Sequence, residues 1–242
     1  MKICVAQTRP VRGDINRNIE NHKKLIDIAV SNAADIIIFP ELSLTGYEPQ
    51  LANELAVDLN DSRFDDFQQL SDKKEITIGL GVPARMSSGV SITMILFRPQ
   101  TSRQWYAKKY LHADEEEFFC SGESSIKLIG SDNNIALAIC YELSVTEHAE
   151  NAFANGAEFY IASVAKTCTG VQKAIEGLTD IARKYSMTVL MSNCIGLCDG
   201  MECGGRSSIW NNSGLLLNQL DDTNEGILII NTETGTTIKH TL

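Results

Sequence analysis

Three side chains that can do chemistry, Glu41, Lys108 and Cys140, each stand at or just past the end of an apolar, strand-like run. A thiol can act as a nucleophile, and a carboxylate can take its proton and later protonate a leaving amine. An ammonium group can stabilise an oxyanion. A nucleophile, a base and an oxyanion stabiliser are the groups that nucleophilic catalysis requires, so the three residue types favour such catalysis if the fold brings them together.

The surroundings of Cys140 favour a reactive thiol. Residues 135–139 form a short apolar run of buried-strand type. Ser144, followed by Glu147, predicts a helix N-cap and its capping-box partner. A thiol between a strand end and a helix N-terminus meets the positive end of the helix dipole, which favours the thiolate. The alternative is that Cys140 is a small hydrophobic core residue, as free cysteines often are.

Glu41 and Lys108 lie at similar strand ends. Residues 35–39 are apolar and largely β-branched, and Pro40 stops them. Residues 104–108 are typical of a strand that ends on the lysine. In an open α/β sheet the carboxyl ends of the strands form the edge where sites assemble. We therefore expect the three side chains to meet at such an edge.

Strand-like and helix-like segments alternate along the chain without a linker or a repeat, which predicts an α/β fold. At 242 residues and 43% hydrophobic content, one domain covering residues 1–242 is expected. Apolar residues at helical spacing predict helices over residues 15–33, 144–155 and 171–185. The other predicted strands are residues 2–6, 76–83, 91–98, 126–129, 158–165, 188–194, 207–210, 215–220 and 225–231.

Three short segments resemble the signatures of the nitrilase, or carbon–nitrogen hydrolase, superfamily. Residues 39–47 (FPELSLTGY) match its glutamate motif almost letter for letter, residues 106–111 (YAKKYL) its lysine motif, and residues 138–142 (AICYE) its cysteine motif. Two positions depart from the pattern: Tyr110 stands where histidine is frequent, and Glu142 where aspartate is more common. Three motifs in the right order are far more specific than any one of them.

The resemblance extends from residue 1 to about residue 230, and it implies a four-layer α-β-β-α sandwich with a Glu-Lys-Cys triad and no cofactor. It implies that Cys140 attacks the substrate carbon and that Glu41 transfers protons. Lys108 and the backbone N–H of Tyr141 would hold the oxyanion. A small amide is the expected substrate. Acyl transfer to an amine or alcohol by the same triad stays open, as does a catalytically silent member of the fold.

Two further glutamates are weaker candidates for the site. Glu115 aligns with a second glutamate that braces the lysine or assists the base in the resembled family, although residues 114–117 are also an acidic run that could simply be solvated. Glu142 either contacts the site or starts a helix. Lys109 is expected to face solvent, because neighbouring residues on a strand point to opposite faces.

Two competing kinds of site find little support in the sequence. Cys194, Cys198 and Cys203 have the spacing C-x3-C-x4-C, which lacks the C-x2-C pair of structural zinc sites, and no histidine is nearby. A papain-like pair needs a histidine beside the thiol. None of the four histidines is a convincing partner, since His148 stands within a helical pattern. We therefore predict no metal ligand.

Composition and charge limit the partners and the compartment. The net charge of −10 argues against nucleic acid and anionic membrane surfaces. The apolar runs are too short to span a membrane, and residues 1–5 lack the apolar core of a signal peptide. Seven irregularly spaced cysteines suit a reducing cytoplasm rather than a disulfide framework. The resemblance also implies a homodimer or larger homo-oligomer, paired through the helices that begin near residues 144 and 171.

Overall fold

Strands dominate the chain in a computed structural model that describes residues 1–124, 128–130, 132 and 134–242. The strands are β1 (Lys2–Gln7), β2 (Ile36–Ile38), β3 (Thr77–Met86), β4 (Gly89–Phe97), β5 (Gln104–Ala107), β6 (Leu128–Ile129), β7 (Ile135–Ile139), β8 (Phe159–Ser163), β9 (Thr188–Ser192), β10 (Ile195–Cys198), β11 (Met201–Gly204), β12 (Ser208–Trp210), β13 (Leu216–Gln219), β14 (Gly226–Asn231) and β15 (Thr237–Thr241). Residues 126 and 127 of the strand predicted at 126–129 lie outside the described residues.

The helices are fewer and fall into two groups along the chain. The α-helices are α1 (Ile15–Ser31), α2 (Ala52–Leu55), α3 (Asp65–Lys74), α4 (Thr146–Ala154) and α5 (Cys168–Tyr185), and short 3-10 helices cover Pro49–Leu51, Ser62–Phe64 and Cys140–Ser144. Within the part of the chain that the structure describes, none of these helices is long and apolar enough to cross a bilayer.

The strands form two mixed sheets. The first has the order β15-β14-β1-β2-β3-β4-β5, and its centre is parallel from β1 to β3. The second has the order β13-β12-β9-β8-β7-β6, with β7, β8 and β9 parallel. A separate hairpin pairs β10 with β11. β2 and β7, which lead to Glu41 and Cys140, therefore belong to different sheets, and each is paired with a strand on both sides.

The two sheets pack face to face, and helices cover their outer faces. Along β1, Ile3 and Val5 belong to the core between the sheets, whereas Cys4 and Ala6 pack under α1 and α3. The second sheet carries α4 and α5 on its outer face through residues such as Leu178. This alternation of burial along one strand is what a sheet covered on both faces requires. The result is the predicted four-layer α-β-β-α sandwich.

Buried hydroxyls join the two sheets directly. The Oγ of Ser192, at the end of β9, lies 2.6 Å from the carbonyl oxygen of Ala6 and 3.1 Å from that of Ile38. The Oγ of Ser163 donates to the carbonyl of Phe39 at 2.8 Å. Each bond uses a carbonyl at or beyond the end of a strand, so the strand ends that lead to Glu41 are fixed against the second sheet.

The prediction of a helix N-cap at Ser144 was wrong. Helix α4 begins at Thr146 after Val145, whose side chain makes no capping bond, so Ser144 and Glu147 do not form a capping box. The segment Cys140–Ser144 forms a 3-10 turn instead. The cause lies inside the turn: the carboxylate of Glu142 accepts the N–H of Ile139 at 2.8 Å, which pulls the chain into a tight reversal.

Other element boundaries also shifted. Helix α1 ends at Ser31, two residues before the predicted end, because Ala33 adopts a left-handed conformation with φ of 56°. Helix α5 begins three residues early at Cys168, where Thr167 caps it by accepting the N–H of Gly170. The hairpin β10–β11 and the edge strand β15 were missed, since their strands are only four or five residues long.

Candidate active site

Glu41, Lys108 and Cys140 lie together where the strand ends of the two sheets face each other. The Nζ of Lys108 is 2.8 Å from Oε1 of Glu41, and the exposed fractions of these two residues are 0% and 2%. The Cys140 side chain, 8% exposed, interacts electrostatically with both. The structure thus brings together the three side chains that the motifs singled out.

The loop after β2 holds Glu41 by close backbone packing. Leu42 adopts a left-handed conformation with φ of 49°. A Cβ added at Gly81 of β3 would collide with the N of Leu42 and the carbonyl oxygen of Pro40. The hydroxyl of Ser43 accepts the N–H of Gly81 at 3.3 Å. Only glycine permits this approach, so the position of Glu41 depends on a contact between two strands that no local pattern specifies.

The loop after β5 holds Lys108 between two carboxylates. The N–H of Lys108 donates to the carbonyl of Ile92 at 2.8 Å, which continues the β4–β5 ladder. Its Nζ lies 2.7 Å from Oε1 of Glu115, and Glu115 is 2% exposed. Oε1 of Glu115 also accepts the hydroxyl of Tyr47 at 2.9 Å, and Oε2 accepts the N–H of His112 at 2.8 Å. Glu115 is therefore a buried brace of the lysine rather than part of a solvated acidic face.

Cys140 stands at a strained turn. Its φ is 44°, an uncommon conformation for a residue with a side chain, and such strain frequently accompanies functional sites. The turn begins directly after β7, and the next amide in it belongs to Tyr141. This geometry projects the thiol from the strand end and keeps the Tyr141 backbone beside it.

Glu142 organises the site from behind. Its fully buried carboxylate accepts the N–H of Ile139 at 2.8 Å, the N–H of Lys109 at 2.7 Å and the hydroxyl of Tyr106 at 2.8 Å. These bonds join the turn that carries Cys140 to the loop that carries Lys108. Glu142 therefore fixes the relative position of the two loops.

The histidines take other partners, as the sequence indicated. The ring of His148 lies 2.7 Å from the hydroxyl of Tyr106 and 2.8 Å from that of Tyr160. His22 is buried in the first half of the chain, 2.9 Å from the hydroxyl of Ser43. A histidine partner for Cys140 is therefore not found among the described residues.

Burial controls the protonation of the site. Burial and the nearby Glu41 charge raise the pKa of Cys140 to about 11, against the opposing effect of Lys166 and Lys108. The expectation that the surroundings favour the thiolate was therefore wrong, because desolvation and a neighbouring carboxylate outweigh the effect of the two lysines. Burial also raises the pKa of Glu41, against the lowering effect of Lys108.

Lys108 itself stays charged. Burial alone would lower the pKa of its ammonium group, but the charges of Glu41, Cys140 and Glu115 raise it above its ordinary value. Oε2 of Glu41 is buried without a hydrogen-bond partner among the described side chains, and the Cys140 thiol is placed to interact with the same carboxylate. The arrangement is a protonated thiol, a carboxylate with a spare oxygen, and a fixed cation.

Lys166 is a second cation that sequence reasoning did not assign to the site. The negative charge of Cys140 raises the pKa of Lys166, and the two side chains interact directly. The residue follows β8, where its N–H donates to Oδ1 of Asn193 at 2.8 Å and its carbonyl accepts the N–H of Gly204 at 2.8 Å. Its position just past a parallel strand, on the same edge as Cys140, was the signal available in the sequence.

The three cysteines considered as a metal site also lie close together. The sulfur atoms of Cys194, Cys198 and Cys203 are all within 4.8 Å of one another, and each residue is at most 3% exposed. They lie on and beside the β10–β11 hairpin, where Tyr47 and Ala165 pack against them. The thiols therefore lie closer together than their spacing in the sequence indicates, because the hairpin folds Cys203 back beside the other two.

Comparisons with known proteins agree with this architecture. The model of the family described as Carbon-nitrogen hydrolase matches residues 2–238. An amidase from Nesterenkonia sp. AN1 in complex with butyramide superposes with a TM-score of 0.82 at 22% identity, over 95% of this chain and 89% of that chain. The same amidase with the acetamide moiety of fluoroacetamide added covalently at its active-site cysteine gives the same values. The predicted family and fold are confirmed.

The curated relatives have similar sequence identity and are mostly longer. The glutamine-dependent NAD(+) synthetase of Acinetobacter baylyi is 25% identical over 220 residues, which are 88% of this chain and 40% of that protein. That of Aquifex aeolicus is 24% identical over 97% of this chain and 43% of its own length. The chain thus spans about two fifths of these synthetases. A hydrolase in the agr operon of Staphylococcus aureus is 24% identical over 92% of this chain and 88% of that protein.

Proposed function

Because the chain belongs to the carbon–nitrogen hydrolase family, we propose that it hydrolyses the carbon–nitrogen bond of a small amide through a thioester on Cys140. The observation that carries this proposal is the buried arrangement in which Lys108 bridges Glu41 and Glu115 beside the thiol. Three ionisable groups with 0–2% exposure are costly to bury together, and such sites persist where chemistry needs them.

In the first half of the reaction, Glu41 takes the proton of the Cys140 thiol as the sulfur attacks the amide carbon. The carbonyl π pair moves to oxygen, and Lys108 with the N–H of Tyr141 stabilises the resulting oxyanion. When the oxyanion collapses, the carbon–nitrogen bond breaks. Glu41 gives its proton to the departing nitrogen, which leaves as ammonia or an amine, and the acyl group stays on sulfur as a thioester.

In the second half, Glu41 takes a proton from water as the oxygen attacks the thioester carbon. The same donors hold the second oxyanion. The carbon–sulfur bond then breaks, the sulfur regains its proton from Glu41, and a carboxylic acid leaves. One carboxylate transfers every proton, which suits a site with a single base and no histidine partner among the described residues.

The pKa directions support this division of roles. A thiol with a pKa of about 11 is protonated at neutral pH, so a base must remove its proton during attack. A carboxylate whose pKa burial raises is a better base than an exposed one. Lys108 keeps its charge and so cannot be that base. Glu115 and Glu142 act as positioning residues in this proposal, through the lysine and through the two loops respectively.

An amide substrate is supported by the named proteins to which the chain is similar. The Nesterenkonia amidase binds butyramide, and the NAD(+) synthetases are glutamine-dependent. Acyl transfer is the second candidate: the thioester would be resolved by an amine or alcohol instead of water. Product analysis distinguishes the two, since acyl transfer needs an acceptor and gives an amide or ester in place of the free acid.

We further propose that the chain is a single hydrolase domain that forms a homodimer or larger homo-oligomer in the cytoplasm. Its seven cysteines are free thiols, which a reducing compartment preserves.

A cavity of about 690 Å³ lies between α4 and α5 and is lined in part by Leu143, Ala149, Ile181 and Tyr185. Phe153 of α4 is 52% exposed. Light scattering at micromolar concentration tests the assembly, and a mass near 26.6 kDa would refute it.

The central experiment is replacement of the nucleophile. Cys140→Ala should lower turnover of a short aliphatic amide by several powers of ten, because the variant lacks the nucleophile that forms the thioester. Cys168→Ala, at an exposed cysteine, is the matched control and should be close to wild type. Mass spectrometry of trapped enzyme should place the acyl adduct on Cys140. An adduct on Cys194, or a Cys140→Ala variant with more than about a hundredth of wild-type activity, would refute the thioester mechanism.

The lysine assignment has its own control in the next residue. Lys108→Ala should lower kcat/KM about 10²-fold or more by loss of oxyanion stabilisation, and Glu41→Gln by a similar factor through loss of proton transfer. Lys109→Ala should be nearly neutral, because Lys109 is exposed and only its backbone N–H contacts Glu142. The motif alignment would be overturned if Lys109 proved essential and Lys108 dispensable.

A further inference from the structure

The thiols of Cys194, Cys198 and Cys203 form a group, here called the three-thiol cluster, that the proposed reaction does not use. The sulfur atoms of Cys194 and Cys198 are 3.4 Å apart, and all three lie within 4.8 Å of one another. Their exposed fractions are 1%, 3% and 1%. Three buried thiols that point at one another need a physical reason, since apolar side chains of the same size would fill the space without polar groups.

The spacing of the sulfur atoms is that of a metal cage. With metal–sulfur bonds of about 2.3 Å, two thiolates on one ion lie about 3.8 Å apart in a tetrahedral site and about 4.0 Å apart in a trigonal one. The separations of the cluster, from 3.4 Å for one pair to a limit of 4.8 Å, bracket both values. Small rotations of the three side chains would place the sulfur atoms around a common centre.

We propose that Cys194, Cys198 and Cys203 bind one thiophilic metal ion, with Zn²⁺ and Cu⁺ as the ions whose chemistry fits. The ligand set is entirely sulfur, which soft and borderline ions select and which Mg²⁺ and Ca²⁺ do not. Three protein ligands complete a trigonal Cu⁺ site, whereas Zn²⁺ takes a fourth ligand from solvent or an anion. Cysteine binds metal as the thiolate, so each thiol that ligates the ion releases its proton to solvent.

The position of the cluster gives the ion a structural role next to the active site. Tyr47 and Ala165 pack on the thiols, and the Tyr47 hydroxyl donates to Glu115. The backbone of Cys203 pairs with that of Thr167 in an isolated antiparallel β-bridge. Thr167 follows Lys166 in the chain. A bound ion would fix the β10–β11 hairpin against the two segments that carry Tyr47 and Lys166. It would take no part in bond breaking, since Cys140 is not among its ligands.

The test is metal binding by the full chain, purified without a tag and stripped by a chelator. Titration with Zn²⁺ or Cu⁺ against a competing chromophoric chelator should give one equivalent per chain. Co²⁺ as a probe should produce a sulfur-to-metal charge-transfer band. Cys203→Ser should weaken binding at least about 100-fold, in line with loss of one of three ligands. Cys168→Ser, outside the cluster, should leave the stoichiometry and the band unchanged.

A measurement on the wild-type chain keeps the proposal testable if the variant fails to fold. Bound metal should protect Cys194, Cys198 and Cys203 together from alkylation, as read by peptide mass spectrometry, while Cys168 reacts with or without metal. The proposal is overturned if metal is bound equally by Cys203→Ser or if no protection appears at saturating ion.

Discussion

Replacing Glu115 with Gln removes one negative charge from the buried group around Lys108 and keeps the side-chain shape. The carboxylate of Glu115 accepts three donors: the ammonium of Lys108, the hydroxyl of Tyr47 and the N–H of His112. A glutamine oxygen can serve one side of this arrangement. Its NH2 group must then face a donor, because an amide has an acceptor at one end only.

The expected loss follows from those contacts. A hydrogen bond to a charged group contributes about 1.5–3 kcal/mol, and an unsatisfied buried donor costs a similar amount. If the transition state loses this much of the stabilisation that Lys108 provides, kcat/KM should fall about 10- to 150-fold. The variant should still fold, since Lys108 retains its ion pair with Glu41.

The pH dependence gives a signature that a purely structural defect would not produce. The charge of Glu115 is one cause that raises the pKa of Glu41, after burial. In Glu115→Gln that cause is absent, so the pKa of Glu41 should fall. Glu41 must be unprotonated to act as the base, and kcat/KM falls as pH drops through its pKa. The acid limb of the profile should therefore move to lower pH in the variant, while the plateau is lower.

The assay is ammonia release from a short aliphatic amide, measured as kcat/KM between about pH 4 and 9. Glu116→Gln is the matched control, because Glu116 is the exposed neighbour in the same loop. An acid limb that stays in place or moves to higher pH in Glu115→Gln would refute the assignment of Glu41 as the base under the field of Glu115. An equal shift of the acid limb in Glu116→Gln would refute this assignment as well.

Two further outcomes are expected. Lys166→Met removes a cation that lowers the pKa of Cys140, so alkylation of Cys140 at fixed pH should slow about tenfold for each unit that the pKa rises; Lys173→Met, on the exposed face of α5, should not change it. Burial lowers the pKa of His22 to about 3, so the folded state excludes a proton that the unfolded state binds below about pH 6.5. The free energy of unfolding should therefore fall by about 1.4 kcal/mol per pH unit from pH 6.5 toward 3. Urea titrations should show this slope reduced in His22→Gln and kept in His240→Gln; equal slopes in the wild type and His22→Gln would contradict it.

The elements of the fold were largely predictable from the sequence. Strand β7 was predicted with its observed bounds, and the apolar stripe of α5 marked the helix to its last residue. Periodicity works here because each element buries one or both faces, and burial of a face repeats every two or 3.6 residues along the chain. The family and the four-layer sandwich came from the motifs, and the matches to known proteins confirmed both.

The sequence also marked Glu41, Lys108 and Cys140, because each belongs to a motif of consecutive residues at a strand end. It could not decide the role of Glu115, whose acidic neighbours in the sequence are exposed while its own side chain is buried. It was wrong about Ser144, because the carboxylate of Glu142 tightens the turn that follows Cys140.

Only the tertiary structure placed Lys166 beside Cys140 and assembled the three-thiol cluster. Cys203 meets Cys194 and Cys198 because β11 folds back along β10, and Lys166 reaches the thiol because β8 lies next to β7 in the sheet. The physical reason is the range of the interactions. Strand and helix patterns reflect contacts between near neighbours, whereas the protonation and metal chemistry of a thiol depend on charges and sulfur atoms within a few ångströms, which the pairing of distant strands decides.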